Sequence, residues 1–229
     1  MRQNKILVLF AHPSQHRSEA NAPIFEAAHE MDFVTTVDLY AEYPRLNIDI
    51  DKEQQRLTSH DVVIFQFPIY WYSTPAILKE WQDLVLEYGF AYGQEGNALQ
   101  GKWFLCAVTA GGSFDAYRQG GHNNFTVKEL FRPLEQTANM TGMCYLPPLV
   151  LFGSRTAADD NRLQQHISKW SLALQQLHDG EVDVDQANHF PTLNDYLLES
   201  ALGAREDNKL VAGEDNRDLQ GDRDLGDQP

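Results

Sequence analysis

The chain has 229 residues, 42% of them hydrophobic, and a formal net charge of −15. That is room for one generous α/β domain plus an extension. Such an acidic balance excludes nucleic acid or an anionic membrane as the main partner, because phosphate contacts need a basic face. The charge is uneven: residues 181–229 hold 13 acidic and 4 basic side chains, net −9, leaving −6 for residues 1–180.

Lys5–Ala11 (KILVLFA) reads as a buried first strand, too short for a signal h-region or a membrane span, so a cytoplasmic protein is expected. After the polar loop His12–Glu19, Ala20–Glu30 suits a helix. Thr35–Leu39 makes a second strand, and Lys52–Ser59 a short polar helix. Asp61–Phe67 is a third strand, apolar from Val62 to Phe65 as in a sheet covered on both faces. Pro68 ends it. The helix that follows, Pro75–Tyr88, begins with proline in its first turn and with Ser73 or Thr74 placed to cap it.

Trp103–Thr109 forms strand four, and the loop Ala110–Asn124 carries Gly111, Gly112, Gly120 and Gly121. Thr126–Met140 reads as a helix in which Pro133 marks a kink or early break. Leu149–Phe152 is strand five, and Ala157–His178 a long closing helix. Five β-α repeats give an α/β, flavodoxin-like doubly wound parallel sheet of order 2-1-3-4-5 with helices on both faces, because the three chemistry-bearing loops follow strands one, three and four. Domain boundaries fall at 1–180 for the body and 181–229 for an acidic extension. Within the extension a short helix is expected over 188–202, then a disordered tail from about Glu206.

Each of the three loops has its own chemistry. His12–Asn21 ends at a helix start, where backbone N–H groups capped by Ser18 make an anion site. Neither G-x-G-x-x-G nor G-x-x-x-x-G-K-[ST] follows the first strand, which disfavours a dinucleotide fingerprint and a P-loop. His12 and His16 lack a nearby third ligand, so no metal is expected. Ile69-Tyr70-Trp71-Tyr72 offers backbone groups and ring faces to a flat ligand. Thr109-Ala110-Gly111-Gly112 lets bare backbone approach one closely. Tyr117 and His122 further along can donate to negative charge, and Tyr92 is one more aromatic beyond the third helix. Cys106 and Cys144, each in an apolar run, read as buried thiols.

Over about residues 4–178 the chain resembles the flavin-dependent NAD(P)H:quinone oxidoreductases of flavodoxin-like fold, in particular the bacterial ancillary proteins of glutathione-gated Kef potassium-efflux systems. The likeness rests on Ala11-His12-Pro13, Ser18-Glu19-Ala20-Asn21, Asn47-Ile48-Asp49-Ile50, Phe67–Pro75, Leu78-Lys79-Glu80-Trp81, Gly89-Phe90-Ala91-Tyr92-Gly93 and Thr109-Ala110-Gly111-Gly112. The resemblance implies a tightly bound flavin, FMN or FAD. His12, Ser18, Glu19, Ala20 and Asn21 would hold its phosphate and ribityl region, and Ile69, Tyr70, Trp71 and Tyr72 its ribityl chain and ring. Thr109, Ala110, Gly111 and Gly112 would meet the pyrimidine edge. Tyr117 and His122 would act as the catalytic pair that stabilises the reduced ring, and Tyr92 would bind substrate at a homodimer interface. It further implies hydride transfer from NAD(P)H to a quinone, or, in the alternative, a regulatory ancillary subunit of a potassium-efflux antiporter, reached at the inner membrane through that partner. The family often has two threonines where this chain has Thr109-Ala110.

Overall fold

The computed structural model describes residues 3–14 and 18–202. The expected disorder from Glu206 onward, and His16 with its neighbours Gln15 and Arg17, lie outside the described residues. The elements run β1 (Ile6–Phe10), α1 (Asn21–His29), β2 (Val34–Asp38), α2 (Leu39–Glu42), α3 (Ile50–Thr58), β3 (Val62–Pro68), α4 (Ala76–Val85) and β4 (Trp103–Ala110). They continue with α5 (Val127–Leu130), α6 (Arg132–Thr141), β5 (Cys144–Tyr145), β6 (Leu149–Phe152), α7 (Arg162–Asp179), α8 (Val184–Ala187) and a helix α9 over 193–202.

All strands pair in parallel in the order β2-β1-β3-β4-β5, with β6 also on β4, as the doubly wound reading expects. Alternation along the strands divides the core. Leu7, Leu9, Val63, Phe65, Phe104 and Cys106 face α3, α4 and α6, while Ile6, Val8, Val62, Ile64, Leu105 and Leu149 face α1 and α7. Both faces of β1, β3 and β4 are therefore dry, which is why these strands are continuously apolar.

Three local expectations need correction. The outer edge is not one strand but two pieces on β4: Pro147 and Pro148 have no N–H for the ladder and part β5 from β6. Neither Ser73 nor Thr74 caps α4. Pro75 itself is the N-cap residue, without a side-chain bond, because Ser73 is held in a turn with Tyr70. And α7 starts at Arg162 rather than Ala157, since the chain first makes turns in which the Arg162 guanidinium donates to the carbonyls of Phe152 and Gly153 at 2.8 and 3.2 Å. The break expected from Pro133 is present, with Phe131 separating α5 from α6.

The segment after α7 packs against the α7 face. Val182, Ala187, Leu193, Tyr196 and Leu197 are buried there. The Asn194 side chain also bonds the sheet edge: its Oδ1 accepts from Val150 N at 2.8 Å and its Nδ2 donates to Val150 O at 3.3 Å, while Leu193 N donates to Pro148 O at 2.9 Å. Among the described residues no helix is long and apolar enough to cross a membrane. Cys106 is fully buried and Cys144 half-buried, both as free thiols.

Candidate functional site

Because β1, β3, β4 and β6 are parallel, their carboxyl ends open on one rim, where such sheets bind ligands. A cleft of about 310 Å³ lies there. The loop after β1 contributes His12, Ser18, Glu19, Ala20 and Asn21; the loop after β3, Pro68, Ile69 and Tyr70; the end of β4, Thr109 and Gly111. Nine of the expected site residues thus share one cavity.

Buried amides tie its floor together. Asn21 Nδ2 donates to Thr109 Oγ1 at 2.9 Å, and Gln66 Nε2 donates to the Asn21 carbonyl at 3.1 Å. Backbone bonds stitch the loops themselves: Ala11 N to Gln66 O, and Ile69 N to Thr109 O, each 2.9 Å. Ser18 Oγ accepts from Asn21 N at 2.9 Å, satisfying one of the free donors at the start of α1. His12 is buried, and its Nδ1 accepts from Ser14 N at 3.1 Å. A neutral ring then carries its proton on Nε2. Burial moves this imidazole below its ordinary pKa, against the opposing pull of Asp38, so the neutral form is favoured.

The aromatic loop is a tight turn. Tyr70 N donates to Ser73 O at 3.1 Å and Ser73 N to Tyr70 O at 3.0 Å, with Trp71 and Tyr72 at φ 47° and 65°. Two positive φ values in the middle of such a turn normally demand glycine or asparagine. Here two bulky aromatics occupy the left-handed region, at a cost of order 1–3 kcal/mol each. The turn throws the Trp71 side chain into solvent, 91% exposed. Tyr72 Oη reaches Asn123 Oδ1 at 3.2 Å, joining the loops after β3 and β4.

The glycine pair leaves little room for a side chain. A Cβ on Gly111 would stand 3.3 Å from Arg155 Nε, and one on Gly112 would stand 3.1 Å from Tyr117 Cε2. Tyr117 is buried against Phe152, ring centroids 5.9 Å apart, and burial raises its phenol pKa, with Tyr72 adding to the effect. Its hydroxyl therefore stays protonated and able to donate at neutral pH.

The remaining expected residues are elsewhere. The Ala110 side chain is buried beneath the rim, and its carbonyl accepts from Ser154 N. His122 is exposed and does not line the cleft. Tyr92 lines a different groove of about 370 Å³ between α4 and α6, where Ser73 and Thr74 also appear. Ser154 and Arg155, on the loop after β6, line the cleft and are absent from the sequence reading. The same strand-end rule, applied to the fourth loop, points to them.

Comparison with known proteins gives the family. A family model described as flavodoxin-like fold matches residues 4–174. The glutathione-regulated potassium-efflux system ancillary protein KefG of Serratia proteamaculans is 46% identical over 151 residues, covering 66% of this chain and 82% of that protein. Among solved structures, general stress protein 14 of Treponema denticola in complex with FMN is 36% identical with a TM-score of 0.72, covering 76% of this chain and 99% of that one. An NADPH-quinone reductase of P. pentosaceus is 32% identical with a TM-score of 0.66, covering 74% and 97%. The chain belongs to the flavodoxin-like family of quinone reductases and KefG-type ancillary proteins.

Proposed function

We propose that the chain is a flavin-dependent NAD(P)H:quinone oxidoreductase using FMN, acting as a cytoplasmic homodimer. The carrying observation is the single cleft into which the ends of β1, β3 and β4 converge. Its residues fit a flavin mononucleotide: the start of α1 at Ser18–Asn21 suits a phosphate, polar Thr109 and Asn21 a ribityl chain, and the side-chain-free Gly111 a flat ring edge. The FMN complex of the Treponema relative supports the same assignment.

A bound flavin supplies two-electron hydride chemistry, accepting from NAD(P)H and passing on to a quinone. The chain's own work is to hold and shield. Ile69–Tyr72 covers the ring with backbone and aromatic faces, and Trp71 walls off water from flat substrates. Tyr117, with its protonated hydroxyl, and His122, on the same loop after β4 but outside the cleft lining, would be the side chains able to donate hydrogen bonds toward a bound flavin. Tyr92 belongs to the substrate pocket, completed by a second copy across the α4–α6 groove.

The purified protein should be yellow and should oxidise NAD(P)H when a benzoquinone is added. A colourless protein that takes up no FMN ends this reading. The second reading, a regulatory subunit of a potassium-efflux antiporter, is favoured by the 46% identity to KefG. It requires co-purification with such an antiporter from the membrane fraction.

A further inference from the structure

A second cavity of about 310 Å³ lies at the β6 edge of the sheet and shares no residue with the cleft. To its lining α7 supplies Arg162, His166 and Lys169, the start of α9 supplies Asn194 and Asp195, and Phe114 comes from the loop after β4. The family match ends at residue 174, so the α9 side lies outside it. Two of these polar groups are already committed. Asp160, Thr156 Oγ1 and the carbonyls of Phe152 and Gly153 hold the Arg162 guanidinium, and both backbone groups of Val150 hold the Asn194 amide.

Three groups are uncommitted. His166 is only 5% exposed, yet among the described residues neither ring nitrogen has a hydrogen-bond partner, and neither is sealed off from the cavity that the ring lines. A buried polar group left in that state costs stability. Burial pushes this imidazole down to about 4, so at neutral pH it is uncharged, with one N–H to donate and one lone pair to accept. Lys169 and Asp195 form no ion pair with each other or with any other described residue. Thr192 Oγ1 donates to Asp195 Oδ2 at 2.7 Å and leaves Oδ1 available. The cavity thus carries an unneutralised cation on α7 and an unneutralised anion on α9. Phe114, 55% exposed, adds an apolar surface where its ring meets Phe152 edge-on at 5.4 Å.

We propose that this cavity binds a small zwitterion, an α-amino acid with an aromatic or large aliphatic side chain, through Lys169, His166 and Asp195. A simple anion brings nothing to Asp195, and a simple cation nothing to Lys169. A ligand with both charges answers both. Its carboxylate takes Lys169 and the His166 N–H, its ammonium takes Asp195, and its side chain covers the exposed face of Phe114. The site stands apart from the flavin reading, since its lining contains none of the cleft residues.

The experiment is calorimetric titration of the full chain, as purified and again with excess FMN. The probes are L-phenylalanine and L-leucine, with 3-phenylpropionate, which lacks the ammonium, and 2-phenylethylamine, which lacks the carboxylate. The expected result is that both amino acids bind whether or not FMN is present, and that each phenyl analogue binds at least about tenfold more weakly than L-phenylalanine. Lys169→Gln should weaken L-phenylalanine by at least about tenfold and leave 2-phenylethylamine unchanged, and Asp195→Asn should do the same while leaving 3-phenylpropionate unchanged. No binding of either amino acid, displacement by FMN, or analogues as tight as L-phenylalanine overturns the proposal, and so does binding indifferent to both substitutions. Thermal melting checks that the variants fold; should Asp195→Asn fail to, the analogue comparison and Lys169→Gln, which alters an exposed side chain, decide.

Discussion

The amide of Asn21 and the hydroxyl of Thr109 meet at 2.9 Å in the floor of the cleft, 88 residues apart in sequence. This bond fixes the first residue of α1 against the end of β4, and so sets the distance between the helix donors and the glycine pair. Replacing Thr109 with valine leaves the buried Asn21 amide unsatisfied. Stability is expected to fall by about 1–3 kcal/mol in urea titration, and FMN affinity to fall with it. A variant as stable as wild type would show that the bond carries no weight.

Trp71 supplies the opposite case. Its left-handed φ of 47° costs energy that its 91%-exposed side chain does not recover by burial. Asparagine tolerates that conformation. Trp71→Asn should leave stability unchanged or raise it by up to about 1 kcal/mol, while weakening flavin or quinone binding. Loss of stability without loss of binding would mean that the tryptophan serves packing.

Tyr117→Phe keeps the ring against Phe152 and Gly112 and removes only the donor. His122→Ala removes an exposed imidazole. Each should slow NAD(P)H:quinone turnover by at least about tenfold with flavin content intact. Flavin loss with unchanged activity per bound flavin contradicts the roles given to them.

His166 is buried on α7, and burial pushes its imidazole down to about 4, with Lys169 acting in the same direction. In the unfolded chain the ring titrates near 6.5, so below that pH the unfolded state binds the extra proton. Its contribution is fully present above about pH 6.5, is lost as pH falls toward 4, and levels off below. Between pH 7 and 5 the loss is roughly 2 kcal/mol. His166→Gln should shrink the difference between urea titrations at those two pH values; an unchanged difference assigns the acid sensitivity to other groups.

Periodicity made the central sheet legible because β1, β3 and β4 are wet on neither face, and a run such as Val62–Phe65 has no other ready explanation. The strand order was legible from the three chemistry-bearing loops, which follow strands one, three and four. The two-residue β5 offered no pattern to read. Trp71 and Tyr72 concealed their turn, since a positive-φ pair is normally announced by glycine. Arg155 lies three positions beyond β6, in a loop whose importance comes from the end of β4 rather than from its own composition.

The side chain of Asn194 occupies both hydrogen-bonding groups of Val150 on the outermost strand. An extended peptide seeking to continue the ladder finds that position taken, so neither amyloid-like stacking nor strand exchange has a foothold at Val150. Assembly with another protein is thereby steered from that point of the rim toward helical surfaces, and deleting residues 188–202 should convert a well-behaved molecule into one that self-associates through its margin.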